Sequence, residues 1–296
     1  MTLVTPLPAA VDTTWHAGQR RLSLMRSALA TRTGRIGAGL ALGLAVAVVA
    51  GPLLWTAPPN EIDYSRKLLG LSTSNPLGTD AFGRDQLARL LDGGRRSLVA
   101  AVLVLAGGLS IGVSVGLVAG MRGGVLGAAL MRFVDVMLAL PALVLALATL
   151  GVLGPGFSNL LVALIAASWA PYARITRSVV QGARARPDVI AARLSGVRWP
   201  AIVRGHVLPG ALSHLGVLAT LNLGEVVVAI AGLSFLGLGA QPPAAEWGAM
   251  LSESRGLFTT APWLLAAPAV AIFASVMAAN LCGDALRDAE RIRAAR

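Results

Sequence analysis

Residues 136–173 read VMLALPALVLALATLGVLGPGFSNLLVALIAASWAPYA, without one Asp, Glu, Lys or Arg. A helix needs roughly 20 apolar residues to cross about 30 Å of hydrocarbon, so this stretch is long enough for two crossings. Gly154-Pro155-Gly156 interrupts it in the middle with residues that do not support a helix interior. The reading is two membrane spans joined by a short turn, and it sets the fold class as an all-α, polytopic membrane protein.

The same logic extends in both directions. Segments 36–60, 97–121, 226–245 and 256–283 also lack charged side chains. From Val207 to Gly224 the only ionisable residue is His214, so 212–232 reads as a span that carries Glu225 inside it. Six transmembrane helices are expected, near 36–56, 98–120, 133–153, 158–175, 212–232 and 262–282. The bulk composition agrees: 55% of the 296 residues are hydrophobic and 13% charged, against about 25% charged in an ordinary soluble domain. Mean hydropathy is +0.72. The abundance of Gly and Ala in the spans suits close helix packing in lipid.

Arginine placement orients the chain. With a cytoplasmic N-terminus, the inside segments collect 18 of the 25 Lys and Arg residues, seven of them in the 171–211 loop. The outside segments hold the other seven, offset by seven acids. The positive-inside rule then puts both termini in the cytoplasm. The formal net charge of +11 is thereby explained by topology, without nucleic-acid binding. Cys282 is the single cysteine and reads as a small packing residue in the last span, which excludes an internal disulfide and a cysteine-based metal site. Lys67 is the single lysine and Leu68 follows it, so no G-x-x-x-x-G-K-[ST] phosphate loop exists in this chain. No cleavable signal peptide is expected, and residues 1–20 read as a polar tail.

The loop at 187–209 reads as a helical hairpin that should face water. Pro187 suits a helix start, Gly196 the left-handed residue beyond a helix end, Pro200 a second start, and Pro209 a stop or kink. Val189, Ile190, Leu194, Ile202 and Val203 give it apolar surface, the mark of a docking element for another protein. Elsewhere, Gly78, Asp80, Gly83, Arg84 and Asp85 suggest a hydrogen-bonded turn outside the membrane, with the two aspartates able to pair Arg84 or Arg89. The glycines and the Pro242-Pro243 pair of 232–243 cannot continue a helix. The chain therefore leaves the fifth span irregularly, in the manner of a plug or gate-side element. Asn222 and Glu225 form a polar stripe on that span, lining a pathway or bonding a partner. Asp284 and Arg287 could pair at the inner end of the last span.

Ala191-Ala192-Arg193 with Gly196, then His206-Val207-Leu208-Pro209, resembles the "EAA" loop of ABC-importer permeases, with Ile190 where the motif begins with Glu. Three further segments are similar to signatures of the dipeptide/oligopeptide/nickel branch. They are LGTDAFGRD at 77–85, GLSFLGLGAQPP at 232–243 (with Ser234, Phe235, Gly237, Gln241, Pro242 and Pro243) followed by WGAML at 247–251, and NLCGDALRD at 280–288. Their order points to the C-type permease of that family. The resemblance implies the transmembrane domain of an ABC type I importer in a bacterial inner membrane. The expected organisation is a cytoplasmic tail over 1–35, a first span and extracytoplasmic segment over 36–96, a permease domain over 97–288 with the coupling loop at 187–209, and a tail over 289–296.

The implied partners are a homologous B-type permease in a heterodimer, two ABC ATPase subunits, an extracytoplasmic substrate-binding protein and membrane lipid. ATP and Mg²⁺ would be bound by the ATPases, and no cofactor, metal or catalytic residue is expected here. The expected cargo is di- or oligopeptide, with a nickel chelate as the alternative. A secondary transporter or channel would usually show paired broken helices or internal repeats. A membrane enzyme would have only Glu225 and Cys282 to work with.

Overall fold

The computed structural model describes residues 26–294, and residues 1–25 of the expected N-terminal tail lie outside them. Among the described residues the regular structure is helical. Helix α1 spans Arg32–Leu54, capped by the Thr31 hydroxyl on Gly34 N–H. Helix α2 runs over Gln86–Arg122, starting well ahead of the expected 98 because the Asp85 carboxylate caps it. Helices α3 (Gly124–Ala139) and α4 (Ala142–Leu153) follow, then α5 (Phe157–Ser168) and α6 (Ala170–Arg184). The hairpin supplies α7 (Pro187–Leu194) and α8 (Trp199–Ile202), and a π-helical turn at Val203–Val207 leads into α9 (Leu208–Phe235). Helices α10 (Trp247–Ser254) and α11 (Trp263–Ala294) complete the chain.

Four helical stretches are long and apolar enough to cross a membrane: Arg32–Leu54, Gln86–Arg122, Trp199–Phe235 and Trp263–Arg291. Helices α3 and α4 together make a fifth, bent by 94°. Three expectations are corrected here. The expected loop at 121–132 is mostly helix, because Gly123 alone separates α2 from α3. The expected straight span 133–153 breaks at Leu140-Pro141, where proline disfavours α-helix in the residue before it. Pro209 does not stop its helix: it lies in the first turn of α9, beyond a widened turn in which Leu208 N–H reaches back to Val203 C=O. The five-residue step is a π-bulge, which adjusts the backbone just before the proline ring.

The first and last described residues, with Ala28 packed on Ala285 and Ala289, and the hairpin lie at one end of the bundle. The segments 55–85 and 236–262 form a cap at the other. The turn at 154–156 reaches the cap, since Gly156 N–H bonds Leu238 C=O at 3.1 Å. Helix α1 runs along α11, with Gly37 against Leu281 and Cys282.

The core of the bundle is set by α2 and the α5–α6 rod, which lie parallel. Gly108, Gly112, Gly116 and Gly120 recur every four residues on one face of α2. They meet Ser168, then Trp169 and Tyr172, then Ala173 and Thr176, then Val180. Small residues at this spacing let backbones approach in lipid, where van der Waals packing rather than water drives association. A Cβ on Gly116 would fall 2.5 Å from Ala173 C=O and 2.6 Å from the Thr176 Cβ. Gly116→Val is expected to destabilise the subunit by about 3 kcal/mol through overpacking, seen as a lowered melting temperature in detergent. Gly216→Ala, where the added carbon would meet nothing within 4 Å, should leave that temperature within error.

Candidate functional site: the 187–209 hairpin, the span polar residues and the cap

The hairpin begins where α6 ends. Arg186 pairs with Asp188 at 2.7 Å in the first turn of α7, where the helix dipole also favours an acid. Desolvation works against the Asp188 charge, but the Arg186 hydrogen bond and charge outweigh it and hold the carboxyl below its ordinary range. After α7 the chain reverses through Gly196 at φ +80°, and Val197 N–H bonds Ala192 C=O at 3.0 Å, the arrangement a left-handed cap residue allows.

One face of the hairpin is locked to the bundle. Val189 and Ile202 are fully buried, together with Val180 and Ala183 of α6 and Val207, with Leu117 and Met121 of α2 packed against them. Trp199 takes two guanidinium groups, Arg184 at 5.3 Å and Arg193 at 5.2 Å from its ring centre, an attraction that favours a fixed ring. Arg184 also donates to the Met121 carbonyl. The opposite face is bare, with Ile190 at 45%, Leu194 at 84% and Val197 at 43% exposure.

The structure thus divides the expected docking set. Ile190, Ala191, Arg193 and Gly196 are exposed on the hairpin, whereas Ala192 is half-buried against the bundle and Leu208 and Pro209 are half-buried in the first turn of α9. The His206 side chain lies outside the described residues.

The polar stripe expected on the fifth span also divides. Asn222 donates to the Tyr172 hydroxyl at 2.9 Å, tying α9 to α6. Glu225 is exposed near the middle of α9. A second polar pair in the spans was not singled out from the sequence: Arg174 of α6 reaches Asp135 of α3 at 2.5 Å, both about half exposed. Asp135 is the last charge before the 136–173 run. The expected Asp284–Arg287 pair does not form, as both side chains are exposed and no ion pair joins them.

At the cap end, motifs far apart in sequence become one assembly. Asp80 accepts from Phe82 N–H, Arg84 N–H and the Arg84 guanidinium. Arg84 continues to Glu253 at 2.6 Å. Arg89, 1% exposed, reaches Glu253 at 2.9 Å. It also donates to Pro59 C=O, Asn60 Oδ1 and Pro243 C=O. Burial pulls its guanidinium below the ordinary range, while Glu253 draws it back up and Arg84 opposes.

The expectation that Asp85 would pair with an arginine is corrected. Its carboxylate instead caps α2 on Ala88 N–H and accepts from Trp55 Nε1 and Asn75 Nδ2. Gly83 adopts φ +76° with Asp63 C=O 1.7 Å from where a Cβ would stand, so only glycine fits that turn. Gly78 also has positive φ, at +71°.

The 232–243 segment joins the same cap. Ser234 is buried, Phe235 is 37% exposed, and Gly237 turns the chain at φ +82°. Gln241 donates to Gly237 C=O and Gly239 C=O, and Pro242-Pro243 is a cis peptide. Glu246, fully buried, accepts from Ser97 Oγ at 2.8 Å and from Gly248 and Ala249 N–H at 3.0 Å each. Trp247 Nε1 bonds Leu90 C=O at 2.9 Å. Sequence reading treated Glu246 and Glu253 only as acids that balance outside arginines. Their place, Glu246 capping the start of α10 and Glu253 in its last turn, becomes evident once α10 folds onto α2. Among the described residues no group of three or more His, Cys, Asp or Glu is placed to hold a metal.

Comparison with known proteins agrees with this architecture. Residues 112–290 match the model of the binding-protein-dependent transport system inner membrane component. The chain is 39% identical over 285 residues to the glutathione transport system permease protein GsiD of Escherichia coli O6:K15:H31, covering 95% of this chain and 91% of the relative. It is 40% identical over 245 residues to the nickel transport system permease protein NikC of Escherichia coli K12, covering 82% and 88%. Among solved structures, two inward-facing crystal forms of the MetNI methionine ABC transporter match with TM-scores of 0.50 and 0.52. Both are 21% identical and cover 69% of this chain and 95% or 96% of theirs, a likeness of fold. The locked hairpin, the small-residue helix core and the extent of these matches converge on one conclusion: the chain belongs to the binding-protein-dependent transport system inner membrane component family, as a permease subunit of an ATP-binding-cassette importer and not itself an enzyme.

Proposed function

We propose that this permease forms half of the passage for uptake of di- and oligopeptides, together with a homologous B-type permease, and that two ATPases drive it through the 187–209 hairpin. The hairpin carries the reading. Its inner face is bound to α2 and α6 while Ile190, Leu194 and Val197 stand exposed, so a force applied there is transmitted directly to two long helices. The missing phosphate loop means that ATP is used by separate chains. A substrate-binding protein would deliver solute at the cap. We infer six crossings, with α3–α4 and α5–α6 as the third and fourth, and both termini cytoplasmic on the arginine distribution.

Peptide cargo is supported by the 39% identity to a glutathione permease across 95% of this chain. The 40% identity to a nickel permease favours a nickel chelate as the second reading. The test is ATP-dependent uptake by the complete complex in proteoliposomes, offered labelled di- and tripeptides, glutathione and nickel chelates. Peptide uptake well above the nickel signal, lost without nucleotide, is expected. Nickel uptake alone would replace the peptide reading, and transport without ATPases would overturn the importer mechanism.

A further inference from the structure

The Asp135–Arg174 pair lies within the third and fourth spans, toward their inner ends. Arg174 adjoins Ala173, whose backbone meets Gly116 on α2. Gly116 is six residues from Arg122, the charge that closes that helix, which places the pair about 9 Å inside its end. Yet both side chains are half exposed on the surface of this subunit. Charged groups at such depth face a water-filled cavity or a partner rather than lipid.

A second observation on the same face points away from lipid. The break at Leu140-Pro141 leaves residues 139–144 exposed, and non-helical backbone at membrane depth is tolerated only inside protein or along water. Ala128, Arg132, Asp135 and Ala139 are all exposed and follow one another at helical spacing, so they form a single stripe leading to the break.

We propose that this stripe of α3, with Arg174, lines the water-filled passage and gives a hydrated, charged solute a polar step in the inner half of the wall. Water rather than a dry partner surface suits the pair, since a buried ion pair bears a desolvation penalty its mutual attraction seldom recovers. This rests on the permease reading above and adds the wall's position to it.

The test uses the complete complex in proteoliposomes, with Cys282→Ala removing the single native thiol. Asp135→Cys and Ala139→Cys are then exposed to a charged, membrane-impermeant thiol reagent, with Val46→Cys on α1 as the lipid-side reference. Modification of both sites at least tenfold faster than position 46 is expected, at rates that change when ATP is trapped. Equal, slow rates at all three positions in a complex that still takes up substrate would overturn the proposal and leave the importer reading intact. Crosslinking of Ala139→Cys to the neighbouring permease without aqueous labelling would also overturn it, by placing the stripe in a dry interface. Ala139→Cys keeps the ion pair intact, so its result does not depend on tolerance of a change at Asp135.

Discussion

Arg89→Ala is expected to unfasten the cap and destabilise the subunit by about 3–5 kcal/mol, the range for removing one partner of a buried ion pair. The side chain is 1% exposed, and it holds three separate pieces of chain: Glu253 of α10, Pro243 after the irregular exit from α9, and Pro59 with Asn60 beyond α1. Removing it leaves Glu253 with Arg84 alone and takes a donor from the Pro59 and Pro243 carbonyls. Arg89→Lys should recover only part of the loss, because one ammonium cannot span the fork of directions a guanidinium serves. The measurement is thermal unfolding of the purified complex, with limited proteolysis at 236–262 as a local readout. Pairing Arg89→Ala with Glu253→Ala should cost less than the sum of the two single changes, since the second removes the acid stranded by the first. Strict additivity would show that the contact contributes nothing of its own.

The parts of this architecture that were legible in the sequence are those with a local physical cause. Charge-free runs mark the apolar helices because lipid penalises each charge. Pro187 and Gly196 act within one turn, and the structure has a helix starting at one and reversing at the other. What escaped is non-local. The start of α2 lies outside the apolar run because the Asp85 carboxylate caps it there. Asp85 looked like a partner for arginine, but its geometry is that of a cap, and Asp80 takes that role. The bend at Leu140-Pro141 was missed because hydropathy is blind to direction. Of the cap only the local turn was legible, with Asp80 pairing Arg84, since Glu246 and Ser97, or Arg84 and Glu253, meet only after the spans assemble.

Leu194→Asp is expected to reduce ATP-driven uptake at least tenfold while leaving the subunit folded and inserted. Leu194 is 84% exposed at the end of α7 and outside the apolar cluster that binds the hairpin to α2 and α6, so nothing among the described residues packs on it. Against an ATPase surface, an unpaired carboxylate in an apolar contact costs about 3 kcal/mol, or roughly a hundredfold in docking affinity. The contrasting change is Val189→Asp, which places the same charge in the buried inner face and should lower the stability of the subunit itself. Gly196→Asp lies between the two: space around it is open, but its φ of +80° strains any residue with a side chain, so the outer edge should lose its shape. Copurification of the ATPases, uptake and melting temperature together separate these cases. Lost uptake with unchanged melting in Leu194→Asp locates the defect at the docking contact. Normal uptake in Ile190→Asp combined with Leu194→Asp would mean that the exposed edge touches no motor, and the force would have to enter the bundle elsewhere.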